Sequence, residues 1–160
     1  MSRGNWTALE CARQYLGVAE VPGHQSNPAI LAMLKLDNDW TTDDATPWCA
    51  AFVNWVAFNM GLERSKSLRA RSWLNVGQPV ALTLCRMTWE QSNGNTVVIF
   101  SRGSGKQPGP EVIAAPGHVA FLESYDETTV TVLGGNQGDK VSIKAYPRRR
   151  VLGVRRLRRG

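Results

Sequence analysis

Two rhythms of apolar residues divide this chain near residue 95. Before that point apolar positions recur at helical spacing, and after it they come in short β-branched bursts separated by turn residues. Trp6, Leu9, Tyr15 and Leu16 predict a helix over residues 5–16, with Asn5 as its cap. Asn27-Pro28, a capping residue followed by proline at the first helical position, predicts a second helix running through "AILAMLKL". Pro47 opens a third through Met60, and Gly61 stops it. Residues 67–77, "SLRARSWLNVG", read as a short helix. Between these lie loops marked by Pro, Gly and polar residues, "GVAEVPGHQSNP" and "DNDWTTDDATP". The second half predicts strands at residues 96–100, 118–125, 128–135, 140–146 and 151–157, with a long Gly/Pro-rich loop over 101–117. Helices followed by a meander of antiparallel strands argue an α+β fold, with N-terminal helices packed on an antiparallel sheet. A length of 160 residues fits one domain, 1–160.

Composition adds exclusions. A 42% hydrophobic and 20% charged content is that of a globular chain, and no apolar run nears the ~20 residues a membrane span needs. The N-terminal stretch lacks the charged head, apolar core and small-residue cleavage site of a secretory signal, so the chain is expected to be made in the cytoplasm and to reach any outside target through another factor. Cys11, Cys49 and Cys85 are too few for a disulfide framework, and their spacing with His24 and His118 suggests no zinc site. No cofactor is expected. The net charge of +6 is uneven. Residues 1–139 hold 10 Lys and Arg against 13 Asp and Glu, net −3, while residues 140–160 hold nine cations and no acid, net +9. The Arg-rich end, 148–160, would suit an anionic envelope polymer or an acidic membrane surface, or it is a solvated strand and tail. It lacks the interleaved aromatics or recognition helix of a nucleic-acid binder, so no nucleic acid is expected as partner.

The candidate chemistry sits at "TPWCAAFVNW", residues 46–55. Cys49 falls in the first turn of the third helix, on one face with Val53, Val56 and Met60. Unpaired N–H groups and the helix dipole there favour a thiolate and can receive an oxyanion. A buried structural cysteine fits the same position. His118 begins a strand after a Pro-Gly turn, at a sheet end where a base could reach a helix terminus, and a satisfied structural histidine is its other reading. If strands 118–125 and 128–135 form a hairpin, their far ends adjoin and Asn136 stands beside His118, able to orient the ring. Its Gly-Gly-Asn-Gln-Gly setting also reads as a plain turn.

In this order the segments "TPWCAAFVNW", "ARSWLNVG", "VVIFSRG", "PGHVAFLE", "VLGGNQGDKVSI" and "VLGVRR" resemble the NlpC/P60 and CHAP superfamily of papain-like cysteine peptidases, nearest to a small phage and prophage branch. The resemblance implies a papain-like fold and a peptidoglycan hydrolase of the endolysin kind. It would cut an amide bond of the stem peptide or of the glycan–peptide junction. Carried over residue by residue, Cys49 matches the nucleophile, His118 the base and Asn136 the third polar residue. Gly134 stands where many CHAP enzymes carry a Glu. Some relatives bind calcium through an acidic loop before the cysteine. Here Asp37, Asp39, Asp43 and Asp44 lack the EF-hand pattern, and no metal is expected. Trp48 and Trp73 are candidate cleft walls. The partner implied is bacterial peptidoglycan, met as a monomer. An exported antibacterial amidase effector and a non-catalytic wall-binding module are the alternative readings.

Overall fold

The structure, a computed structural model, describes residues 6–23, 26–37, 47–83 and 93–160. Helix α1 is Ala8–Arg13, α2 is Pro28–Lys35 and α3 is Cys49–Met60. A 3₁₀ turn follows at Ala70–Asn75. The strands are β1 Gln78–Pro79, β2 Thr96–Ser101, β3 Gly117–Tyr125, β4 Thr129–Gly134, β5 Ser142–Pro147 and β6 Val151–Arg156. This is the α+β architecture expected, with differences in detail, among them a 3₁₀ turn at Ala70–Asn75 where a short helix over 67–77 was expected.

Another is at the start of the chain. Helix α1 begins at Ala8 rather than at residue 5, because Thr7 and Glu10 form a reciprocal capping box that ends the helix there. Asn5 lies outside the described residues. Trp6, counted in the apolar stripe, precedes the helix and is 58% exposed. A third is sheet order. Strands β2 to β5 form the expected meander, but β6 crosses back to pair with β2, and β1 pairs with β6, giving the order β1-β6-β2-β3-β4-β5. That return makes β2 interior, which explains why all six of its residues, TVVIFS, are buried.

Alternate residues of the central strands feed two cores. Val97, Ile99, Val119, Phe121 and Leu133 pack with the helices, while Val98, Phe100, Ala120, Leu122, Val132 and Val154 pack on the other face. Helix α3 lies in the first core. It was expected to bury one face, yet Cys49 through Asn54, Val56 and Ala57 are all buried, because α1, α2 and β3 surround it. Asn54, the polar residue among them, is satisfied by the Ala50 and Ser67 carbonyls and the Lys66 N–H. Gly61 ends the helix in the left-handed conformation at φ 66°.

A buried cation secures the long loop. Arg71, fully buried, donates to the carbonyls of Pro108, Gly109, Val112 and Pro116 at 2.8–3.3 Å. Four main-chain oxygens, and no carboxylate among the described residues, thus hold residues 108–116 against the 3₁₀ turn. The C-terminal arginines are used similarly: Arg148 donates to Leu82 and Thr83, Arg150 to Ser101, and Arg155 to Leu74, all through carbonyls, while Arg158 pairs with Glu63. Much of the basic end is therefore structural mortar, and the image of a freely solvated tail does not fit it. Replacing Arg71 by Met should lower stability in urea by about 3 kcal/mol, since several buried carbonyls lose a charged donor. It should also make the 101–117 loop, which contains Lys106, the earliest tryptic cut. An unchanged midpoint and digestion pattern would show that the loop is held by something else.

Candidate active site

The fold brings the start of α3 against the start of β3. Cys49 is the first residue of α3, with Trp48 in the cap position, whose side chain makes no capping hydrogen bond. The free N–H groups of Cys49 and Ala50 therefore face the thiol, and the N–H of Val119 on β3 also reaches it. Cys49 is only 4% exposed, yet it lines a cleft of about 450 Å³ with Pro47, Leu68, Ala70, Arg102 and Pro116. The turn after β4 also comes close against the start of α3, because Gly135 has no side chain. A Cβ there would stand 2.6 Å from the Trp48 ring and 2.7 Å from Phe52 Cβ. Trp48 and Trp73 are fully buried, so neither forms the cleft wall suggested for them. The Trp48 indole N–H instead donates to Glu20 at 2.8 Å.

His118 stands one residue before Val119, opposite Phe100 in the β2–β3 register. Its ring packs with Phe100 and Tyr146 at centroid distances of 6.2 and 5.3 Å. It lines a second cleft, of about 310 Å³, with Arg102, Asn136, Gln137, Lys144, Tyr146 and Arg150. Arg102 borders both clefts, so they adjoin at that side chain.

The partner of His118 differs from expectation. Nε2 of His118 lies 2.8 Å from Oε1 of Gln137, not against Asn136. The turn after β4 explains the exchange. Asn136 adopts the left-handed conformation at φ 57°, and the chain reverses there. Asn136 lines the cleft, while Gln137, one residue on, aims its carboxamide at the ring. Gln137 Nε2 donates to the Ser142 carbonyl at 2.7 Å, and the Ser142 hydroxyl donates to the Gln137 carbonyl at 2.9 Å. With its amide nitrogen committed, Gln137 presents oxygen to the ring, so Nε2 carries the imidazole proton and Nδ1 keeps its lone pair. The sequence held one signal for this: a second carboxamide beside Asn136 in the same turn. Arg102, directly after β2, carried none.

Burial works against the charged form of both Cys49 and His118. Burial raises the Cys49 pKa above the ordinary thiol value by more than the three N–H groups and Arg102 lower it. Burial at this helix start outweighs the thiolate-favouring pull expected for a first-turn cysteine. Burial, against the pull of Gln137 and aided by Arg102, Arg150 and Lys144, lowers His118 to about 4. No direct hydrogen bond joins the thiol to the ring among the described residues. Burial disfavours charge on the thiol and on the oriented imidazole alike.

As for metals, the described residues contain no group of three or more His, Cys, Asp or Glu able to hold one. Asp37 of the acidic loop pairs with Arg64 at 2.8 Å. Asp39, Asp43 and Asp44 lie outside the described residues, as do His24 and Cys85.

The His118 shift has a consequence for stability. Above pH 6.5 the ring is neutral folded and unfolded; from 6.5 down to about 4 only the unfolded chain takes the proton, so stability falls with pH in that window. The loss should total roughly 3 kcal/mol by urea unfolding at pH 7 and pH 4. His118→Gln should remove most of that slope. An equal slope in both proteins would mean the ring is not kept neutral by the fold.

Residues 41–136 match the CHAP domain, a span that includes Cys49 and His118 and exceeds half of the chain. No curated protein matches the sequence. CHAP domains are typically cysteine- and histidine-dependent amidases or peptidases. With this match over more than half of its length, on an α+β fold that starts a helix at Cys49 and a strand at Gly117-His118, the chain belongs to the CHAP domain family.

Proposed function

We propose that the protein is a peptidoglycan hydrolase of the endolysin type, cutting an amide bond by nucleophilic attack of Cys49 with His118 as base. The observation that carries this reading is the oriented ring: Gln137 occupies Nε2 and leaves Nδ1 as the lone pair available to a thiol proton. In the first half-reaction Nδ1 takes the proton from Cys49, and Sγ bonds to the carbonyl carbon. The carbonyl oxygen gains the electron pair and is held by N–H groups at the start of α3. Collapse of this intermediate breaks the C–N bond, and the imidazolium gives its proton to the departing amine. In the second half-reaction His118 takes a proton from water, whose oxygen attacks the thioester. The acid leaves and the thiol recovers its proton.

A neutral resting pair fits this order of events. A thiol kept protonated by burial is protected from adventitious oxidation, and the proton moves only when a bound carbonyl offers the charge somewhere to go. The main alternative is a wall-binding module that keeps the fold without the reaction.

Cys49→Ala should abolish the loss of turbidity of purified cell walls, at least about a thousandfold, while the protein remains folded. Undiminished clearing by that variant would remove the catalytic reading and favour the binding module. Mass spectrometry of the released muropeptides should show a new amine and a new carboxyl end at one amide. For the orienting role, Gln137→Ala should lower kcat by about ten- to a hundredfold, and more than Asn136→Gly, which suits the left-handed backbone. The reverse ranking would return that role to Asn136.

A further inference from the structure

The two clefts that meet at Arg102 are chemically unlike. On the Cys49 side the walls are mostly small and apolar, from Pro47, Leu68, Ala70, Ala114 and Ala115, with Arg69 and the shared Arg102 as the cations there. On the His118 side they carry three cations, Arg102, Lys144 and Arg150, with Asp139 as the one acid. None of the three cations belongs to an ion pair among the described residues, where the pairs are Arg13–Glu123, Arg64–Asp37 and Arg158–Glu63. Two of them share the Tyr146 ring: Lys144 Nζ lies 5.2 Å and the Arg150 guanidinium 5.5 Å from its centre. Arg150 is fixed further by two bonds to the Ser101 carbonyl. Like charges held together at a cleft wall repel one another, and the arrangement gains stability when an anion enters.

We propose that the His118 side of the cleft is a carboxylate subsite, in which Arg102, Lys144 and Arg150 receive an acidic group on the amine-side fragment of the substrate. The direction rests on the hydrolase reading given above. In that reaction His118 protonates the departing amine, so the amine-side fragment lies on the imidazole's side and the acyl fragment stays with Cys49. The enzyme therefore selects an amide whose acyl side is compact and whose amine side bears a free carboxylate within a residue or so. A neutral amine-side partner, such as a glycine cross-bridge, is a poor substrate.

The same three cations act on the base. Each disfavours a proton on His118. A substrate carboxylate among them offsets that field, so the imidazole gains basicity when the correct fragment is in place. Recognition and activation of the base are thus one electrostatic event.

The test uses the full-length Cys49→Ala protein and calorimetry. The probes are a stem-peptide fragment with a free carboxylate on its amine-side residue, and the same fragment with that group as a primary amide. The free acid should bind at least about tenfold more tightly, as expected for loss of a charge-assisted contact. Adding Arg102→Gln and Lys144→Gln should bring the two probes within about twofold. Arg159→Gln, an exposed cation outside the cleft, should leave the preference intact. Equal or absent binding of acid and amide overturns the proposal. Poly(glycerol phosphate) forms a third arm, because phosphate could satisfy the same cations. Tighter binding of that polymer than of the free acid, lost in the Arg102/Lys144 variant, reassigns the subsite to envelope phosphate. If the native enzyme hydrolyses neither fragment while the Cys49→Ala protein still prefers the acid, the hydrolase reading fails and the carboxylate subsite stands.

Discussion

Close packing around the first turn of α3 is the constraint on which the site depends. A helix buried nearly all round has little freedom to slide, because any shift exchanges apolar contacts on several sides at once. Trp48, fully buried and tied to Glu20, pins the cap position. Gly135 lets the turn after β4 come against Trp48 and Phe52 without a side chain between them. One contact region therefore sets both where the thiol begins its helix and where the turn bearing Asn136 and Gln137 passes.

The electrostatics of the site follow from that packing. Burial deep enough to fix the geometry is also deep enough to disfavour charge on both groups, raising the thiol and lowering the imidazole. Gln137 is suited to such a place. A carboxylate there would stabilise imidazolium in the resting state, whereas a carboxamide orients the ring and adds no charge. The missing acid at Gly134 is consistent with a site run on neutral partners. A Cβ at that position would stand 2.8 Å from Gln137 Oε1, so a larger residue would intrude on the group that now holds the ring.

Arginine serves two ends in this chain. Arg71, Arg148, Arg150 and Arg155 spend their guanidinium groups on main-chain carbonyls, joining loops to the sheet where no regular ladder reaches. A guanidinium offers five donors in a fixed fork, which suits several carbonyls at once. Arg150 does both, since its carbonyl bonds hold it at the cleft edge beside Lys144 and Arg102. The strong positive charge of the last 21 residues is thus partly a by-product of how the sheet edge is fastened.

The sequence by itself determined the kinds of element and their order. Helical spacing, Asn27-Pro28, Gly61 and the β-branched runs are local signals, and local backbone preference suffices to read them. It also placed Cys49 at a helix start and His118 at a strand start, because both follow from where elements begin. Only the tertiary structure decided that β6 returns to cover β2, since strand pairing between residues far apart depends on which buried faces remain to be closed. Only it showed that Gln137, rather than the Asn136 the sequence suggested, is hydrogen-bonded to the ring, one residue past a left-handed position in the turn. The thiol's resting protonation belongs to the same class. A helix start favours the anion locally, but the desolvation that outweighs it comes from residues distant in the chain, and no local pattern encodes their sum.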